Sequence, residues 1–240
     1  MNLSIVIPAY NEAKRIRRTL IQMLAFLNTH NITYEIIIVD DGSTDTTLQV
    51  VRKFKGNIKI VQNKTNLGKG FAVKTGIEHA KYDLILFSDA DLATPIGEVL
   101  GMIKQIDKGH DVVIASRNLP ESTIVVKQSL FRQILGKTFP LLVKLLLVPG
   151  ITDTQCGFKL FTAKAAKRIV KLQTISRFSF DVELLFIARK LGFKVAEVPV
   201  TWTDQKGSTV NPLRDGLRML VDLVKIRVNQ IKGKYTSKKK

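Results

Sequence analysis

The chain has 240 residues, 45% hydrophobic and 24% charged, which fits one folded domain with at most a short appendage and argues against disorder. Its 38 basic against 20 acidic residues leave a net charge of +18, which favours an anionic partner: nucleic acid, an anionic membrane or a phosphorylated substrate. A single cysteine, Cys156, excludes an intrachain disulfide and fits a reducing compartment.

The sequence opens directly on MNLSIVIPAYNE, without the basic, apolar and small-residue regions of a signal peptide. No stretch of 18 apolar residues predicts a membrane-spanning helix. Short apolar runs at residues 3–8, 34–40, 58–62, 84–89 and 111–116 read as strands. Their runs are continuous rather than alternating, which suits strands buried on both faces of a parallel sheet. Helical patterns at 12–28, 46–55, 69–79 and 96–108 separate them, giving βαβ units. Beyond Arg117 the pattern changes. Residues 127–148 read as a Leu- and Val-rich helix, 157–162 and 194–202 as strands, and 180–191 as a helix. Residues 214–230 form an amphipathic pattern ahead of a lysine-rich end. The predicted fold is α/β: a mixed, mainly parallel sheet flanked by helices, spanning 1–210, followed by a basic amphipathic helix and tail at 211–240.

Ligands of open α/β sheets bind at the carboxyl ends of the strands. There the sequence places Pro8-Ala9-Tyr10-Asn11-Glu12, Asp40-Asp41-Gly42-Ser43-Thr44-Asp45, Asp89-Ala90-Asp91 and Ser116-Arg117. Five of the 20 acidic residues fall in these turns, with Glu12 beside them. Asp89 and Asp91, two residues apart at a strand end, can share a hard divalent cation such as Mg²⁺ or Mn²⁺ with substrate phosphates. The alternative is a solvated turn in which Asp89 caps the next helix. In the second turn Asp41 is assigned to ligand contact and Asp45 to capping. Asn66-Leu67-Gly68-Lys69-Gly70 is a glycine-bearing helix start that suits phosphate or ribose, or else is a plain turn. Walker, GxGxxG and GxSxG motifs do not occur. Cys156 is read as packing.

In this order and spacing, SIVIPAYNE, VDDGSTD, NLGKG and DADLATP resemble the family 2 glycosyltransferases of Rossmann-like GT-A fold over residues 2–117. In the second half, DTQCGFKLF, FSFDVELLFIA and VPVTW are similar to the polyprenyl-phosphate sugar transferases. Within these the chain resembles the dolichyl-phosphate β-glucosyltransferase branch, with the mannosyltransferase branch next. The resemblance implies an inverting transfer from UDP-glucose, or GDP-mannose in the second case, to dolichyl (polyprenyl) phosphate. It implies that Pro8, Tyr10, Glu12, Asp40 and Asp41 surround the nucleotide, with Gly68, Lys69 and Ala90 beside the donor. Asp89 and Asp91 hold the metal. Arg117 and Arg132 face phosphates, and Lys206 with Ser208 sits on a loop closing over the diphosphate. Asp153 and Asp181 are candidates for contacts to the sugar or acceptor; otherwise Asp153 lies in a turn and Asp181 is a helix N-cap. Where some relatives carry a glutamine as a further metal ligand, this chain has Ala93.

A polyprenyl phosphate stays in its bilayer, so the enzyme is expected at the cytoplasmic face of a membrane, held peripherally. Residues 127–148 and the terminal helix combine apolar spacing with basic groups, and residues 214–240 carry nine basic and two acidic residues. The other possibility is that these faces pack on the domain or on a second copy of the chain. Nucleic acid is not expected as a partner, because the acidic strand ends oppose a phosphate backbone.

Overall fold

The computed structural model describes residues 2–126, 143, 146–205 and 212–236. Its centre is a seven-stranded sheet in the order β3-β2-β1-β4-β7-β5-β8. The first half supplies β1 (Asn2–Ala9), β2 (Thr33–Asp40), β3 (Ile58–Gln62), β4 (Leu84–Ser88) and β5 (Val112–Ser116). Between them lie α1 (Ala13–Thr29), α2 (Thr47–Val51), α3 (Lys69–His79) and α4 (Val99–Asp107), the last preceded by a 3₁₀ turn at Ile96–Glu98. β1 pairs in parallel with β2 and β4, and β2 with β3. β7 (Phe158–Thr162) runs antiparallel between β4 and β5, and β8 (Val195–Pro199) closes the sheet parallel to β5.

The apolar runs behave as buried strands should. In β2, Ile37 and Val39 face one core with Val6, Ile85 and Phe87, while Ile36 and Ile38 face a second core with Ile5, Ile7 and Leu86. Helices cover both faces, so consecutive residues are both buried and the sequence cannot alternate.

Four elements depart from the sequence expectation, one of them a short strand, β6 (Thr123–Val126), where none was expected. The single strand expected at 194–202 is two: β8, then β9 (Thr201–Thr203). β9 leaves the large sheet to pair with β6 (Thr123–Val126), and Pro199, lacking an N–H, stands where the chain changes partner. The helix expected at 46–55 is only the five residues of α2. A helix not anticipated, α5 (Ala163–Leu172), follows β7; its cap is Thr162, whose hydroxyl accepts from Ala165 N. The helix at 127–148 lies almost wholly outside the described residues, with Val143 and Leu146 helical. α6 (Phe180–Lys190) and α7 (Pro212–Ile231) complete the fold. Leu223 and Ile226 of α7, and Tyr235 beyond it, belong to the same core as Phe87.

Two-sided burial predicts that Ile37→Ala and Ile38→Ala, neighbours on opposite faces, each cost about 2–5 kcal/mol. Urea melts of both variants check this. If either costs nothing, one face of the sheet is not a core.

Candidate active site

Because β1, β2 and β4 are parallel, the segments after Ala9, Asp40 and Ser88 emerge along one edge. β7 runs the other way and pairs Phe158 with Ser88, so Gly157 arrives at that same edge. The motifs there interlock. Asn11, in left-handed backbone (φ 56°), receives Thr44 N–H at 2.8 Å and Asp45 N–H at 3.2 Å on its side-chain oxygen. In return Ser43 Oγ accepts Asn11 N–H at 2.9 Å. Asp45 caps as expected, but it serves two helices: it accepts from Thr47 N at 2.9 Å and from Ala13 N at 3.2 Å.

Asp41 organises the next motif. Its carboxylate accepts from Asn63 Nδ2 at 2.8 Å, Leu67 N at 3.0 Å and Gly68 N at 2.8 Å. Gly68 has φ +105°, and a Cβ there would lie 2.5 Å from Ser176 O, so glycine is required on both counts. Lys69 opens α3 from this turn.

These segments line a cleft of about 680 Å³. One wall carries Pro8, Tyr10, Glu12 and Arg15, the floor Asp41 with Asn66, Gly68 and Lys69, and the other side Asp89, Ala90 and Asp91. Arg177 and Phe178, with Arg214, Asp215 and Arg218 of α7, complete its lining.

The carboxylate pair is surrounded by protein cations. Lys69 Nζ lies 2.7 Å from Asp89 Oδ1. Arg15 is held by Glu12 through two contacts of 2.6 Å and reaches to 3.8 Å from Asp91 Oδ2. Burial and the neighbouring Asp89 carboxylate push Asp91 above its ordinary range. Burial pushes Glu12 up against the opposing pull of Arg15. Burial alone would lower Lys69, but Asp89 and Asp181 hold it above its usual value. Two hard oxygen donors whose mutual repulsion is already expressed in Asp91 fit a divalent cation that shares them with a diphosphate. Among the described residues no third carboxylate, histidine or cysteine joins them. Gly157 makes room for this geometry: a Cβ there would lie 2.0 Å from Asp89 Oδ2.

Of the residues singled out in sequence, Pro8, Tyr10, Glu12, Asp41, Gly68, Lys69, Asp89, Ala90 and Asp91 meet in the cleft. Asp40 does not; it is fully buried and accepts from Ser43 N at 3.3 Å. Two expectations are corrected. Asp153 is buried and spent on Arg117, whose Nε and Nη2 reach it at 2.7 and 2.9 Å, so its carboxylate is not open as a contact for sugar, whereas Arg117 itself remains a quarter exposed. Arg117 also stacks 5.3 Å from the Trp202 ring. Asp181 is not an N-cap; it sits inside α6, buried, paired with the fully buried Lys159 behind Lys69. Lys159 also donates to Cys156 O at 2.6 Å. Cys156 is buried, and burial pushes its thiol up to about 11, in keeping with packing. Arg132, Lys206 and Ser208 lie outside the described residues. Sequence reasoning missed Arg15, Arg177, Phe178 and Arg218. Arg15 was legible as the residue three beyond Glu12 on a helix face; the others approach only through the fold.

The Glycosyl transferase family 2 model matches residues 4–170. The chain is 40% identical over 248 residues to dolichyl-phosphate beta-glucosyltransferase of Dictyostelium discoideum, covering 96% of this chain and 75% of that protein. It is 36% identical over 253 residues to the dolichyl-phosphate beta-glucosyltransferase of Homo sapiens, covering 97% and 77%. Among solved structures, glucosyl-3-phosphoglycerate synthase from Mycobacterium tuberculosis in complex with Mn²⁺ and uridine-diphosphate-glucose superposes with a TM-score of 0.64 at 16% identity, covering 93% of this chain and 77% of that one. This chain therefore belongs to glycosyl transferase family 2, and its cleft is that of an α/β enzyme of this class.

Burial alone would raise Asp153, but the Arg117 guanidinium outweighs it and holds the carboxyl below its ordinary range. The pair's contribution is therefore complete above about pH 4 and is lost as pH falls through the depressed folded value. Arg117→Ala leaves that carboxylate buried without its cation, at an expected cost of about 3–5 kcal/mol near neutral pH. In the variant the guanidinium's pull is lost and only the backbone N–H groups of residues 117 and 155 and the nearby Lys159 oppose burial, so Asp153 titrates higher than in the wild type and the deficit shrinks on acidification to about pH 4. Urea melts at both pH values check this; a deficit independent of pH would count against the pair.

Proposed function

We propose that this protein is an inverting glycosyltransferase that moves glucose from UDP-glucose to dolichyl (polyprenyl) phosphate, giving a β-linked lipid-phosphate sugar. The observation that carries the reading is the Asp89–Asp91 pair, with Lys69 in contact with Asp89, lining a cleft at the carboxyl edge of the sheet. The names of its relatives supply the acceptor and sugar.

Mg²⁺ or Mn²⁺ at Asp89 and Asp91 would offset the charge that the leaving diphosphate gains. The chain's own residues do the rest. Lys69 and the first N–H groups of α3 present positive charge to the diphosphate. Tyr10 and Pro8 offer a wall for the base and ribose. Arg15, fixed by Glu12, keeps Asp91 oriented into the cleft. The acceptor is a phosphate monoester with a second pKa near 6, largely dianionic at neutral pH, so it can attack the anomeric carbon without a protein base. Its charge calls for cations in the cleft, and Arg177 and Arg218 line it.

Purified protein incubated with polyprenyl phosphate and radiolabelled UDP-glucose or GDP-mannose in parallel tests the reading. Label is expected in the lipid phase from UDP-glucose. Asp91→Ala or excess EDTA should lower it by about 100-fold or more. Labelling from GDP-mannose alone, or full turnover in EDTA, would overturn the donor or the metal assignment respectively.

The same reading extends to peripheral attachment through α7 at the cytoplasmic face of a membrane. α7 turns Leu223 and Ile226 inward, while Leu217, Val221, Val224 and Ile231 are between 63% and 85% exposed, with Arg218 and Lys225 among them. No helix of the described residues is long and apolar enough to cross a membrane. Each basic group near an anionic leaflet contributes on the order of 1 kcal/mol, screened by salt. Co-sedimentation should need anionic lipid, weaken in high salt and fall in the Val221→Glu, Val224→Glu double variant. Intact protein that stays free of anionic vesicles at low salt removes this part of the reading.

A further inference from the structure

Glu183 of α6 is a fully buried carboxylate whose charge is met by hydrogen bonds. Its Oε1 accepts from Thr174 Oγ1 at 2.6 Å and its Oε2 from Thr174 N at 2.9 Å and Ile175 N at 2.7 Å. The fourth donor comes from far along the chain: Tyr235 OH, 2.6 Å from Oε1. Tyr235 lies just beyond α7 and is itself buried, its ring edge-on to Phe186 at 5.7 Å. Asn229, in the last turns of α7, donates to Thr174 Oγ1 at 2.9 Å.

What Glu183 fixes is the segment 173–176, and that segment is the support of the Gly68–Gly70 turn. Gln173 Nε2 donates to Gly70 O at 2.9 Å, and Phe71 N donates to Ser176 O at 3.0 Å. The two are packed without slack: a Cβ on Gly70 would lie 2.9 Å from Ile175 O, and one on Gly68 2.5 Å from Ser176 O. A shift of residues 173–176 must therefore move the turn that carries Lys69, the cation beside Asp89.

We propose that Glu183 is a positioning residue for the donor diphosphate, and that Tyr235 makes the seating of the C-terminal helix part of that device. This rests on reading the cleft as a nucleotide-sugar site. The route is continuous: α7 seats Tyr235 and Asn229 on the Glu183 cluster, the cluster sets residues 173–176, and these set Gly68 and Lys69. The phenol is suited to the role, because burial and the Glu183 carboxylate hold it well above its ordinary pKa, so it remains a donor at any working pH.

Tyr235→Phe tests the proposal, since it removes one O–H and keeps the ring. Thr174→Val, which removes a second donor to Glu183, is the companion variant should Tyr235→Phe be poorly folded. Two readouts are taken on the full chain: amide exchange without ligand, and calorimetric binding of UDP with Mn²⁺. The Phe71 amide, bonded to Ser176 O, is expected to exchange about tenfold faster, while Val113 and Ile114 in the distant β5 keep their protection. UDP is expected to bind about 3- to 10-fold more weakly, with the KM for donor rising and kcat changing less. Unchanged Phe71 exchange and UDP affinity in a folded variant would overturn the proposal. So would a uniform rise in exchange across the whole sheet, which marks general destabilisation. Wild-type protein that binds no UDP would instead remove the nucleotide-sugar reading, and the exchange readout would still decide whether Tyr235 and the Gly68 turn are coupled.

Discussion

Two carboxylates two residues apart and partly withdrawn from water repel each other, and the cleft is arranged around that repulsion. Asp89 and Asp91 stay close because they share a turn closed by the Leu92 N–H donating to Asp89 O at 3.3 Å, and Gly157 leaves space for Asp89. Lys69 and Arg15 meet their charge from opposite sides. Each of these cations needs its own support, Glu12 for Arg15 and the Gly68 turn for Lys69. The demand spreads inward from there. Asp181 lies behind Lys69, and Lys159 neutralises Asp181 at the cost of a fully buried ammonium, which only a close partner makes tolerable.

Charge alternation explains why the second-half motifs accompany the first-half ones. DTQCGFKLF supplies Asp153, which fixes Arg117, then Gly157, which admits Asp89, then Lys159, which fixes Asp181. FSFDVELLFIA supplies Asp181 and Glu183, the first facing the charge cluster and the second the 173–176 segment. These residues support the site from below. Their spacing in the sequence reflects one antiparallel strand and one helix packed against the strand that carries the carboxylate pair.

The parallel half of the fold was legible because its signals are local. Continuous apolar runs marked β1 to β5, and acidic turns after them marked the edge where ligands bind. Asp89, Asp91, Asp41 and Lys69 accordingly line the cleft. Asp153 and Asp181 do not line it; each is paired with a cation beneath it. A carboxylate in a strong motif looks the same in sequence whether it faces the cleft or a buried cation, and only the register of β7 against β4 separates the two. Arg177 and Arg218 were missed for a related reason: a basic residue in a chain of net +18 carries no signal until the fold brings it to the cleft. The division of residues 194–202 into two strands was likewise invisible, since Val, Pro and Thr suit either partner.

α7 shows how one helix can serve two environments. Its inward residues, Leu223 and Ile226, join the core around Phe87, while Leu217, Val221 and Val224 point outward. An inward stripe alone would leave a solvated outer face, and polar residues would cost nothing there. Apolar residues on both faces, with Arg218 lining the cleft, place an apolar surface beside that cleft. The long-range distribution of charge agrees with that placement. Both partners of the proposed reaction are anions, so a basic surface raises their local concentration, while the Asp89–Asp91 pair sits where a divalent cation can reconcile it with a diphosphate. An acidic pair at the centre of a basic protein is therefore no contradiction: the surface gathers the anions, and the pair decides where the diphosphate comes to rest.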